Sequence, residues 1–339
     1  MFKLFEPKRV FFEPQALEYP LGRELLSIFK SKQIPILHTS SHNRITGIPG
    51  TNPRTAYFEA KRTLVVGVRK SQDFQTCRPS AHFQLPLVTS CPGFCEYCYL
   101  STTLGAKPYI RIYVNLEEIL ERTAEHISAR LPEITIFEGS ATSDPVPVEP
   151  YTGALAKVVE YFGTQEKARF RFVTKFDDLD SVADARHNGR TEVRFSINSE
   201  TIIKEYEHHT LSLKRRLKAA QRMTAANYPV GFIVAPIILF TGWADEYRRM
   251  FKQVREAMEG QAVSFEFVTY RFTPRAKARI LSVFPETTLD MNEESRRFKF
   301  GQFGYGKYIY PPDTMKELKE FFTEQAQAVS PKAEVLYTV

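Results

Sequence analysis

Residues 90–100 read SCPGFCEYCYL and hold three of the chain's four cysteines, Cys91, Cys95 and Cys98. The apolar run PLVTS (86–90) leads into them, and strand-like and helix-like segments alternate after them. LEEILERTAEHISARL (116–131) has apolar residues at helical spacing, with Glu early and Arg late as the helix dipole favours. EITIFE (133–138), RFRFVT (169–174), EVRFSI (192–197), VGFIVAPI (230–237) and VSFEFVTY (263–270) read as strands. Helical patterns fall between and after them, at 151–162, near 177–186, at 213–227, around 243–258 and at 274–284. About six βα units predict parallel strands joined by helical crossovers, an α/β fold with a partial (β/α)6 TIM-like barrel. Residues 1–84 read as a small N-terminal α/β extension, 85–285 as the barrel, and 286–339 as a β-hairpin, a helix (313–328) and a closing strand.

The bulk numbers narrow the function classes. Of 339 residues, 43% are hydrophobic and 25% charged, which suits a globular enzyme. No apolar run is long enough to span a bilayer, so no membrane association is expected. The N-terminus MFKLFEPKRVFFEP carries charge throughout and lacks the apolar core of a secretory leader. Clustered cysteines in so few copies argue against a disulfide framework and for a reducing cytoplasm. A net charge of +7 is compatible with a polyanionic partner. Basic residues interleave with aromatics in TYRFTPRAKARI (269–280) and RRFKFGQFGYGKYIY (296–310).

Cys-x3-Cys-x2-Cys admits three chemistries. Structural zinc needs four ligands, and the remaining cysteine, Cys77, lies fourteen residues upstream. A redox pair in CEYC leaves Cys91 unexplained. An iron–sulfur cubane uses all three thiolates and leaves one iron open to a small molecule.

These residues, and the segments TIFEGSATSD (135–144), RFVTK (171–175), DARHNG (184–189), RFSIN (194–198), VAPI (234–237) and FGYGKYIY (303–310), resemble the spore photoproduct lyase family of the radical S-adenosylmethionine superfamily. The resemblance runs from about residue 86 to 310 and implies a [4Fe-4S] cluster on Cys91, Cys95 and Cys98, with S-adenosylmethionine (AdoMet) on the open iron. It implies a carbon–carbon lyase that reverts 5-thyminyl-5,6-dihydrothymine in DNA to two thymines. A 5′-deoxyadenosyl radical would take the hydrogen at C6 of the lesion. The partners would be duplex DNA with the lesion flipped out and an external one-electron reductant, and the enzyme a monomer in the spore core.

The family's hydrogen-atom donor is a cysteine, and Ala141 stands at its position. An alanine methyl cannot replace a thiol, so this chain reads as a Cys-to-Ala variant, either introduced or natural with another donor. Tyr97 and Tyr99, beside Cys98, are relay candidates; packing around the cluster is the plainer reading. Ser143, Asp144, Lys175, Ser196, Asn198 and Ala235 end predicted strands, where barrel active sites sit, and are expected at the cofactor; capping is the plainer role. Arg271, Arg296, Lys299 and Lys307 are expected to meet DNA, with Tyr305 as a wedge at the hairpin tip. A solvated basic edge hairpin is the competing reading. Two other functions stay open: a radical enzyme acting on a non-DNA substrate, and a DNA-binding module with a structural metal.

Overall fold

The structure is a computed structural model that describes residues 5–71, 73–300 and 306–339. The first strands are β1 (Arg9–Phe12), β2 (Ile36–His38), β3 (Thr63–Gly67), β4 (Thr76–Cys77), β5 (Ala81–Gln84), β6 (Val88–Thr89), β7 (Phe94–Cys95) and β8 (Ile110–Tyr113). They are followed by β9 (Thr135–Glu138), β10 (Ala168–Thr174), β11 (Thr191–Ile197), β12 (Glu207–His208), β13 (Val230–Ile237) and β14 (Val263–Thr269). The hairpin strands β15 (Arg297–Phe300) and β16 (Gly306–Ile309) precede β17 (Glu334–Thr338).

The large sheet runs β17-β14-β13-β11-β10-β9-β5-β4, with every neighbouring pair parallel except β4 with β5. Six parallel strands from β5 to β14 make the partial barrel, and β17 adds a seventh at its edge. A second sheet, β2-β1-β3-β8-β6, supplies the smaller layer. The run 86–90 therefore does not open the barrel. Val88–Thr89 pairs antiparallel with β8 in the small sheet, and the barrel opens with the hairpin β4–β5. Two-residue strands carry too little periodicity to be read from sequence.

Helices cover one face of the large sheet. Phe162, on the helix Ala154–Thr164, stacks on Phe170 with ring centroids 5.2 Å apart. Phe251, on Trp243–Ala257, and Phe322, on Pro312–Gln327, meet Phe265 and Phe267. Alternation then turns Glu138, Arg171, Arg194 and Glu266 to the opposite, inner face, where they are buried. Among the described residues, no helix is long and apolar enough to cross a membrane.

Candidate active site and nucleic-acid interface

The cysteine loop is held at both ends. Ser90 bridges Ser143 in parallel and its amide donates to the Thr142 carbonyl at 2.8 Å, so the loop starts beside the 139–144 turn. Further on, β7 pairs antiparallel with β12, Cys95 opposite Glu207. Gly93 lies inside the curl: a Cβ there would sit 3.7 Å from Cys91 Sγ, 4.0 Å from Cys95 Sγ and 3.1 Å from Thr210. Glycine lets the backbone turn closely within the sulfurs.

The charge around the loop tests what these sulfurs hold. Lys61 is fully buried; its Nζ donates to the Cys91 carbonyl at 2.8 Å and stands 3.9 Å from Cys91 Sγ. Among the described residues no carboxylate pairs with it. A buried ammonium without a counter-ion is costly, and thiolates bearing a cluster provide one. Among the described residues no three His, Cys, Asp or Glu side chains converge on a single ion. A cubane does not require that, because each thiolate takes a different iron. The donor set therefore fits an iron–sulfur cluster.

Tyr97 and Tyr99 point into different surroundings. The Tyr97 hydroxyl donates to Glu207 at 2.5 Å and accepts from Lys175 Nζ at 2.9 Å. Lys175 also pairs with Glu207 at 2.7 Å, and Glu207 with the fully buried Arg216 at 2.6 Å. Burial raises the Glu207 carboxyl, but Arg216 and Lys175 outweigh it and bring it down to about 2. Tyr99 is 54% exposed, and its hydroxyl donates to the Ala141 carbonyl. That bond ties the cysteine loop to the 139–144 turn at Ala141.

Of the residues expected at the cofactor, several serve the frame. Asp144 accepts from Thr174 Oγ1 and the Lys175 amide, both at 2.9 Å, and from the Val146 amide at 3.2 Å. Burial nevertheless pushes it up to about 6. Asn198 donates to the Pro236 carbonyl at 2.8 Å and accepts from Tyr247 at 2.9 Å. Asn198 thus braces the end of β11 against β13. Lys175 ends β10 tied to Tyr97 and Glu207. Ser196 lends its carbonyl to Arg216 at 2.8 Å. Ser143 and Ala235 remain half-buried at strand ends.

Sequence reasoning missed a charged cluster inside the barrel. Arg194 pairs with Glu138 and, at 2.8 Å, with Glu266; Arg171 pairs with Glu266 at 2.5 Å and Glu192 at 2.7 Å. The Tyr337 hydroxyl donates to Glu266 at 2.7 Å. Cys77 faces this cluster. Burial and then Glu138 push its thiol up to about 12, and it lies within electrostatic reach of Tyr99. The signal was legible in RFRFVT, EVRFSI and VSFEFVT: charges alternating with apolar residues are foreign to strands buried on both faces.

On the hairpin, Lys299 stands opposite Lys307, and Arg271 lies close to Lys307. Burial first, then Arg271 and Lys299, lower the Lys307 pKa. Like charges directly opposed across strands repel, and among the described residues no carboxylate pairs with these three. Phe300, 75% exposed, packs edge-on against Phe298. The Phe298 ring covers Gly306, where a Cβ would come within 1.8 Å of it. Arg296 corrects the expectation of DNA contact. It is 8% exposed, lies 3.7 Å over the Tyr310 ring, pairs with Asp290 at 3.2 Å and donates to the Tyr270 carbonyl at 3.2 Å. Tyr305, the expected wedge, lies outside the described residues.

The family model described as spore photoproduct lyase matches residues 5–339. The chain belongs to the spore photoproduct lyase family. It is 49% identical over 332 residues to the spore photoproduct lyase of Clostridium acetobutylicum, covering 98% of each chain. To that of Bacillus subtilis it is 45% identical over 336 residues, again covering 98% of each. Among solved structures it is similar to a spore photoproduct lyase mutant with bound AdoMet and dinucleoside spore photoproduct. The TM-score is 0.97 at 45% identity, over 99% of this chain and 100% of the other. That mutant exchanges one cysteine for alanine and one serine for cysteine.

Proposed function

We propose that this protein reverts spore photoproduct in duplex DNA to two thymines by radical AdoMet chemistry, with Cys77 as the hydrogen-atom donor in place of the thiol missing at 141. The observation that carries it is the Tyr99–Ala141 contact, which ties the cysteine loop to the donor position, beside a barrel interior that holds another thiol. Cys91, Cys95 and Cys98 hold the cluster, with Lys61 balancing its charge, and an external reductant supplies one electron. When bound, cluster and AdoMet supply the 5′-deoxyadenosyl radical that removes the C6 hydrogen of the lesion.

Reversion is an isomerisation, so one hydrogen atom leaves C6 and one must arrive on the methylene that becomes a methyl group. Cys77 gives it: the S–H bond breaks, the new C–H bond forms, and sulfur keeps the unpaired electron. The Tyr99 O–H returns a hydrogen atom to that sulfur, and the tyrosyl radical left behind would recover one from the methyl group of 5′-deoxyadenosine, where the C6 hydrogen went. The solved relative holding AdoMet and lesion likewise had one thiol removed and another introduced. Ser143, Ser196 and Ala235 border the cofactor, and Lys175 orients Tyr97. Lys299 and Lys307 on the hairpin and Arg271 before it bind phosphates, with Phe300 and Tyr305 against the opened duplex.

The test is anaerobic reconstitution followed by turnover of dinucleoside spore photoproduct. About four irons per chain, a reduced paramagnetic signal that shifts with AdoMet, and release of dinucleoside thymine are expected. Cys77→Ala should bind the lesion but yield aberrant products. Clean repair by Cys77→Ala removes the donor assignment, and stoichiometric zinc removes the radical mechanism.

A further inference from the structure

Cys77 sits on a strand of two residues, too short to hold a thiol in place by its own ladder. What fixes it lies in the turn that follows. The Ser80 hydroxyl donates to Glu138 Oε2 at 2.9 Å and accepts from Arg194 at 3.1 Å, and the Ser80 carbonyl accepts from Arg171 at 2.8 Å. The other Glu138 oxygen accepts from the Ser140 amide at 3.1 Å and its hydroxyl at 2.7 Å, and that hydroxyl accepts from the Val173 amide at 2.5 Å. One carboxylate thus ties the turn after Cys77 to the residue before Ala141, whose carbonyl receives Tyr99.

Building on the donor assignment above, we infer that Glu138 is the positioning residue of Cys77. It registers the β4–β5 turn against the 139–141 loop, and its charge keeps hydrogen on the sulfur. A thiolate has no hydrogen atom to donate, so a radical-quenching thiol needs the reverse of what activates a nucleophilic cysteine. The groups facing Cys77 meet that need. Glu138 of β9 and Glu266 of β14 disfavour a thiolate, Arg194 of β11 and Arg171 of β10 favour one, and Tyr99 is neutral; Arg78, next in sequence, is exposed. Two carboxylates thus stand against two guanidinium groups, with Glu138 the strongest of the four. Burial and Glu138 agree in sign, and the thiol is pushed up to about 12.

The test uses the cluster-loaded enzyme, with alkylation of Cys77 by iodoacetamide followed across pH on its own peptide by mass spectrometry. In Glu138→Gln the alkylation midpoint should fall by about one pH unit or more, and clean repair should fall relative to aberrant product as pH rises. An unchanged midpoint in the folded variant overturns the charge role. Ser80→Ala removes the tie without altering charge and keeps the question answerable if Glu138→Gln does not fold. It should raise the aberrant fraction several-fold with the midpoint in place, and unchanged partition overturns the registering role. The alkylation midpoint is read without turnover, so the charge role stands apart from the Cys77→Ala repair assay. Clean repair there would remove the donor, not the hold of Glu138 on the thiol.

Discussion

The barrel interior and the C-terminal hairpin both concentrate charge, and they treat it in opposite ways. Inside, Arg171 and Arg194 are each shared between carboxylates at hydrogen-bond distance. At the hairpin, Lys299 and, from the segment after β14, Arg271 crowd Lys307 without a counter-ion among the described residues. Paired charge in a low-dielectric interior fixes geometry, and its removal leaves a stranded ion. Unpaired charge at the surface stores repulsion that an anionic partner relieves. One region spends its charge on internal geometry; the other leaves it unpaired at the surface.

The contrast can be broken at several points. Arg194→Met leaves Glu138 and Glu266 without a shared partner and should cost about 3–5 kcal/mol of stability in urea denaturation. A near-neutral result would mean that the interior tolerates stranded carboxylates. Arg296→Ala comes next, at about 2 kcal/mol, from the lost ring stacking and carbonyl contacts. It should leave the salt dependence of DNA binding unchanged, which separates Arg296 from its basic neighbours. Lys299→Ala and Lys307→Ala should hardly alter stability, and each should lower the slope of log affinity against log salt by about 1. An unchanged slope in both would remove the hairpin from the DNA interface.

The smallest effect is a change of slope. Burial holds Asp144 at about 6 against an ordinary 3.8, so the folded state prefers its protonated form. Stability from this group is present below 3.8 and is lost as pH rises through about 6. The unfolding free energy of the unsubstituted chain minus that of Asp144→Asn should fall across that window. A flat difference would mean that the hydrogen bonds from Thr174, Lys175 and Val146 balance burial.

Much of the barrel was legible because its longer strands and helices carry full periods of pattern. RFRFVT at 169–174 is found as Ala168–Thr174, and the helix read at 213–227 as Leu213–Ala225. The hairpin carrying Cys77 was not, since Thr76–Cys77 becomes a strand only through what it pairs with. Arg296 and Lys299 read alike in RRFKF, yet one is buried beneath Tyr310 and the other exposed. Sequence gives charge but not the ring that will cover it. The bracing role of Asn198 was hidden for a similar reason: its partners Tyr247 and Pro236 lie 49 and 38 residues away in sequence.

The order of the large sheet, from β4 at one edge to β17 at the other, never departs from the order of the chain. During synthesis each new strand can join an open edge, and none has to be threaded between two that are already paired. Neutralisation follows the same schedule. Glu138, Arg171, Glu192 and Arg194 are made first, Glu266 arrives with β14, and Tyr337 completes its shell with β17. Until β14 leaves the ribosome, Arg171 lacks the buried carboxylate that it later shares with Arg194. A ribosome paused before Val263 would therefore hold a barrel whose interior still admits water.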